Sequence, residues 1–243
     1  IFTPLDVFDL EYVSNTEISP DGNKILYQRN FNDIMTDESF SNIWLINFDG
    51  SENRPITTGN FKDTSPKWSN KGDKFVFKSN REGKSQIFLF DLTNNSIQKL
   101  TNFQYSISSI KWSPDDRYIL FSSFIDDKRD KLIKMPEKPK GAKWNDPPVE
   151  ISDLNYRYDG SGYRKPGETQ FFTLPVTGGT PRQISNIPAE KRAFQGEWID
   201  KNTIVFSANL NEDSDYNTNN TEIYTLDINS GIQKALTSRE GPD

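Results

Sequence analysis

A chain of 243 residues, 33% hydrophobic and 26% charged, can build one large all-β domain or two small domains, and its net charge of −6 argues against nucleic acid as a main partner. No run approaches the roughly 20 apolar residues that span a bilayer. With no cysteine and no histidine the chain has no disulfides, no thiolate or imidazole metal ligands and no base for a Ser-His-Asp triad.

Near the start, "TPLDVFDLEY" predicts a short N-terminal helix. Thr3 and Asp6 have capping-box spacing, Pro4 suits the first helical position, and Leu5, Phe8 and Tyr12 fall on one face. Next comes a phrase that the chain then repeats: "ISPDGNKILYQRN" from Ile18, "WSNKGDKFVFKSN" from Trp68, "WSPDDRYILFSSF" from Trp112 and, one residue shorter, "WIDKNTIVFSAN" from Trp198. Each has a polar four-residue turn, in "SPDG" of type I, followed by a strand that is apolar on both faces in its middle. Such a strand is covered on two sides. A second phrase follows each time, as in "SNIWLINFDGSENRPITTG" from Ser41 or "SQIFLFDLTNNSIQKLTN" from Ser85. It reads as a third strand, a turn, and a short polar strand ending in "PIT", "KLT", "QIS" or "ALT".

Four antiparallel strands at a spacing of about 45 residues describe a propeller blade. The expected fold is therefore all-β, a β-propeller fragment of about four blades over residues 16–59, 65–102, 108–186 and 196–238. Trp68, Trp112 and Trp198 share one repeat position and are expected to wedge between blades. Blade three carries an insertion, residues 125–168, between its second and third strands. Its first half is basic, with Lys128, Arg129, Lys131, Lys134, Lys138, Lys140 and Lys143, and reads either as a solvated loop or as a dock for an acidic surface. Its second half reads as a hairpin turning at Asp159 and Gly160, on which Arg157, Tyr158 and Tyr163 are candidates for lining a substrate route or for plain packing. In "NEDSDYNTNNTE", Asn211, Asp213, Asp215, Asn217, Asn219 and Glu222 have calcium-loop spacing, but Tyr216 stands where the sharp turn wants glycine and the flanks read as strands. A polar loop without metal is expected. The sequons at Asn94 and Asn219 fall in loops.

The repeat lacks the Gly-His and Trp-Asp signatures of WD propellers. It resembles the "SPDG … LT" blades shared by TolB-type periplasmic propellers and by the propellers of prolyl oligopeptidase-type serine peptidases. The insertion's order, "KPKGAKW … DPP … ISDLNYRYDGSGY … GGTPRQ", and the lead-in "TPLDVFDLEYVSNTEISPDG" are similar to the acylaminoacyl-peptidase branch. That resemblance implies an N-terminal propeller that gates peptides to an α/β-hydrolase domain, and it favours a periplasmic or secreted location over a cytoplasmic one; no cofactor is expected. No catalytic residue carries over, because the hydrolase domain and its G-x-S-x-G elbow are absent here; "DGSGY" at Asp159 lacks the spacing. The chain itself is expected to be inert, and the rival reading is a free-standing TolB-like module that binds a protein partner. The chain stops after its fourth blade, so bare faces on the first and last blades lead us to expect self-association, most simply a two-fold dimer.

Overall fold

The computed structural model describes residues 3–127, 132, 135–146, 148–160, 162–188, 191–239 and 241. The helix expected from Thr3 is a single 3-10 turn, Pro4–Phe8. Asp6 accepts the Thr3 N–H at 2.6 Å and the Thr3 hydroxyl at 3.0 Å. The turn cannot lengthen to Tyr12, because Tyr12 is already paired in a strand opposite Asn30.

Four sheets follow. The first contains β1 (Tyr12–Ile18), β2 (Lys24–Asp33), β3 (Glu38–Asn47) and β4 (Arg54–Pro55), and the second β5 (Thr64–Trp68), β6 (Lys74–Ser79), β7 (Gln86–Asp91) and β8 (Ser96–Lys99). The third begins with β9 (Ile107–Trp112) and β10 (Tyr118–Asp126). A separate hairpin, β11 (Arg157–Tyr158) and β12 (Gly162–Tyr163), intervenes before β13 (Gly167–Pro175) and β14 (Arg182–Gln183) complete that sheet. The fourth holds β15 (Arg192–Ala193), β16 (Glu197–Trp198), β17 (Thr203–Asn209), β18 (Glu222–Asp227) and β19 (Gln233–Ala235). Every sheet runs in sequence order with antiparallel neighbours, except that β15 and β16 both pair with β17. Strand β15 had no signal in the sequence pattern.

The recurring words of the sequence now have physical causes. In the polar turns the serine hydroxyl accepts the first N–H of the next strand: Ser19 from Lys24 at 2.9 Å, Ser69 from Lys74 at 3.2 Å, Ser113 from Tyr118 at 2.9 Å. At the far end of each unit a hydroxyl accepts an N–H from the third strand. Thr57 takes that of Ile43, Thr101 that of Ile87, Ser185 that of Phe171 and Thr237 that of Ile223, all at 2.8–2.9 Å. The terminal Thr or Ser is a staple that satisfies backbone donors where the outer strand leaves the ladder. Asp116 stands where Gly22 and Gly72 close the equivalent turns, at φ 56. Its carboxylate accepts the N–H groups of Asn70 and Lys71 in the preceding sheet, which offsets the strained backbone.

Successive sheets pack face to face. Phe75 and Phe77 of β6 meet Leu26, Ile43 and Leu45 of the first sheet, while Val76 between them faces Ile110, Ile119 and Phe121 of the third. Leu120 and Phe171 turn the other way, toward Ile204, Phe206 and Leu226 of the fourth. This two-sided burial is what the apolar-on-both-faces runs require. Inner strands are also tied from blade to blade. The Trp68 indole N–H donates to the Glu17 carbonyl at 3.1 Å and that of Trp112 to Lys67 at 2.8 Å. At Trp198 the indole N–H is buried with no partner among the described residues, and a Lys111–Glu197 ion pair at 2.6 Å links the strands instead.

The insertion leaves after Asp126 and returns at Gly167, and those two residues close a nine-residue ladder between β10 and β13. Gly167 has φ 144, and a Cβ there would lie 2.3 Å from the Ile125 carbonyl, so only glycine fits this neck.

Candidate functional site

A groove runs along the junction of the third and fourth sheets. Its inner part is a hollow of about 580 Å³ whose wall carries the hydroxyls of Ser108, Ser122, Thr169 and Ser207, with Gln195 and the Phe194 ring at its rim. Thr169, Ala193 and Phe194 also border a second hollow of about 300 Å³, lined further by Phe124, Tyr158, Arg164, Glu168 and Arg192. The strands set these positions. Arg192 and Ala193 pair with Asn209 and Ala208 at the end of β17, and the Phe194 N–H donates to the Ser207 carbonyl at 2.9 Å. That turn raises the Phe194 side chain, 49% exposed, over the groove.

The second hollow is built around a buried acid. Glu168 is 6% exposed, and its carboxylate accepts the Thr169 N–H at 2.7 Å and lies 3.5 Å from the Arg164 guanidinium. Burial pushes its pKa up to about 7, and the N–H donors of Thr169 and Ala193 together with the charge of Arg164 offset this only in part. The Arg192 guanidinium sits 4.6 Å from the Tyr158 ring centre, and the Tyr158 hydroxyl is buried with no partner among the described residues.

The raised pKa has a consequence for stability. Between about 4.5 and about 7 the folded chain holds a proton that the unfolded chain has released. The contribution of Glu168 is therefore complete below 4.5 and is lost as pH rises through 7. The chain has no histidine, the side chain whose ordinary pKa falls in that window. Stability measured by urea unfolding is expected to fall from pH 5 to pH 8 by up to about 3 kcal/mol, and Glu168→Gln is expected to flatten the profile. An unchanged slope in the variant would contradict this assignment.

Of the three hairpin residues singled out in the sequence, Tyr158 lines the groove. Arg157 and Tyr163 are direct cross-strand partners on the two-residue ladder, so they share the opposite face. Tyr163 stacks there on Tyr156 with ring centres 6.4 Å apart. Arg164, Glu168, Arg192 and Phe194 carried no sequence signal of a site. Among the insertion's basic residues, Lys138, Lys140 and Lys143 are exposed, while Lys128, Arg129, Lys131 and Lys134 lie outside the described residues.

The segment from Asn211 to Glu222 is held by a cation of the chain itself. The Lys191 ammonium donates to the Asn211 carbonyl and, at 3.0 Å, to the Ser214 hydroxyl. Glu222 turns into the blade and accepts the Arg239 N–H at 2.9 Å. Among the described residues no three acidic side chains gather as metal ligands would. Millimolar calcium is expected to move the melting temperature by less than about a degree, whereas a site at 100-fold saturation would add about 2.7 kcal/mol.

A family model for the TolB beta propeller domain matches residues 13–141. The chain is 28% identical over 220 residues to the uncharacterized peptidase YuxL of Bacillus subtilis, covering 88% of this chain and 32% of that protein. It is 29% identical over 123 residues to dipeptidyl-peptidase 5 of Porphyromonas gingivalis, covering 51% of this chain and 18% of that protein. Among solved structures, acylaminoacyl peptidase of Pyrococcus horikoshii superposes with a TM-score of 0.71 at 19% identity, over 96% of this chain and 33% of that one. TolB of Acinetobacter baumannii superposes with a TM-score of 0.55 at 16% identity, over 96% of this chain and 45% of that one. At these identities the two structures establish the fold. The chain spans about a third of the length of the Bacillus relative it matches.

Proposed function

We propose that this chain, which belongs to the TolB beta propeller domain family, is the propeller portion of a serine peptidase of the acylaminoacyl or dipeptidyl type. In this role it admits peptides to a hydrolase domain and turns folded proteins away. The observation that carries the reading is the groove between the third and fourth sheets. Hydroxyls at one end offer hydrogen bonds to an extended main chain, Phe194 offers a ring to a side chain, and the hollows have the size of a peptide-scale site. The peptidase relatives support the same substrate class. A fluorescently labelled, unstructured decapeptide is expected to bind this chain saturably in anisotropy titrations, at least about fivefold more weakly to Phe194→Ser. A small folded protein carrying the same label is expected not to bind. Equal binding of peptide and folded protein would count against gating.

The likeness to TolB structures supports a second reading, a propeller that works alone as a binding surface for a folded partner. The same titration separates the two, since that reading needs the folded protein to be the better ligand.

Self-association belongs to the proposal as well. The outer face of the first sheet sets Ile25 opposite Ile46, Tyr27 opposite Trp44 and Phe31 opposite Phe40, with the pair Arg29 and Asn42 among them and Arg29 ion-paired to Glu11. Val13 and Ile18 flank them on the same face at 56% and 61% exposure. The aromatic and aliphatic side chains of this face favour a contact, and the simplest cover is the same face of a second copy. Light scattering at micromolar concentration is expected to find a dimer that Val13→Lys with Ile18→Lys converts to a monomer. A monomeric unsubstituted chain would overturn the dimer.

A further inference from the structure

The hollow beside the insertion contains more positive charge than main-chain recognition needs. Arg164 and Arg192 both line it, and both also line the narrow crevice behind it, next to Asn155 and Asp215. Arg164 is engaged with Glu168. Arg192 packs over the Tyr158 ring, and among the described residues no acceptor takes its guanidinium N–H groups. The Tyr158 hydroxyl beside it is a buried donor without an acceptor. A buried donor left unpaired costs about 1–3 kcal/mol, so the Tyr158 hydroxyl calls for an acceptor from outside the chain, and the exposed Arg192 guanidinium over its ring supplies the positive charge that would draw an anionic one. An ammonium group would have to enter between two guanidinium groups; an anion meets complementary charge.

We propose that this hollow binds the carboxylate of a peptide, with the Arg192 guanidinium and the Tyr158 hydroxyl as its donors. This rests on the reading of the groove as a peptide site and adds to it which end or side chain is anchored. Arginine suits the task because its planar fork matches a carboxylate with two parallel hydrogen bonds. The charged and titratable groups facing Glu168 are Arg164, Arg192 and Tyr158, with the Thr169 and Ala193 N–H groups on its oxygens and Asp215 across the crevice. An arriving anion favours the neutral form of Glu168, so binding takes up a proton and weakens as pH rises.

Three probes decide the proposal when titrated into the 243-residue chain by isothermal calorimetry: N-acetyl-Ala-Ala-Phe as the free acid, the same peptide as its amide, and N-acetyl-Glu-Ala-Phe amide. The free acid is expected to bind at least about tenfold tighter than its amide at pH 6, and Arg192→Gln is expected to erase that preference while near-ultraviolet circular dichroism stays unchanged. Tyr158→Phe is expected to weaken the acid several-fold and leave the amide unaffected. From pH 6 to pH 8 the acid is expected to lose about tenfold in affinity, and Glu168→Gln to remove that loss. Tight binding of the glutamyl amide would mean that any peptide carboxylate is accepted; weak binding would mean the terminal carboxylate alone. Equal binding of acid and amide, or a preference that survives Arg192→Gln, overturns the carboxylate site while leaving the peptide groove standing. If no probe binds, the peptide groove fails and the carboxylate site fails with it.

Discussion

Replacing Arg81 by methionine is expected to cost about 3–5 kcal/mol of folding stability, the penalty for leaving a buried charge without its partner. Asp63 is fully buried immediately before β5, and one of its carboxylate oxygens lies 2.8 Å from the Arg81 guanidinium while the other has no partner among the described residues. Arg81 is itself enclosed by the rings of Phe61, Phe77 and Phe88, 5.1–5.6 Å from its charge centre. Methionine keeps apolar contact with those rings but removes the charge, its attraction to the ring faces and the Nε–H donated to Ser79 Oγ at 3.0 Å, so a second variant is needed to isolate the share of Asp63. The double variant Asp63→Asn with Arg81→Met is expected to recover part of it. Urea unfolding midpoints at constant slope measure the difference, and a loss under about 1 kcal/mol would show that water reaches the pair.

A loss of similar size, about 3–5 kcal/mol, is expected for Phe121→Ala. Phe121 is fully buried between the second and third sheets, stacked on Phe172 at 5.2 Å and edge-on to Phe103 at 5.3 Å. Removing it opens a cavity where the two sheets meet and takes away both ring contacts. Phe48, 70% exposed after β3, provides the comparison: its replacement by alanine is expected to change stability by less than about 0.5 kcal/mol. Similar losses at both positions would contradict the face-to-face packing of the sheets.

The fold was legible because each blade spells its own local chemistry. The turn serines, the turn residues at positive φ and the terminal Thr or Ser act within a few residues or across one strand pair; the first two recur in three units and the last in all four. The two-sided apolar runs likewise state that each middle strand is covered on both faces. The N-terminal helix forms only its first turn because Thr3, Pro4 and Asp6 specify that turn, while continuation to Tyr12 is prevented by pairing with Asn30, which local pattern does not reveal. The groove was harder. Tyr158 could be picked out on a hairpin, but Arg164, Glu168 and Arg192 meet only because the insertion folds back against β15, and sequence does not show that packing encloses Arg164 and Glu168. Asp63 and Arg81 were missed for the same reason.

Whether this propeller serves a peptidase is settled most directly by reading the complete coding frame to which the chain belongs. The expected result is an α/β-hydrolase segment in the same frame, with a G-x-S-x-G serine followed in order by its acid and its histidine. A frame that encodes propeller blades and no such segment would contradict it.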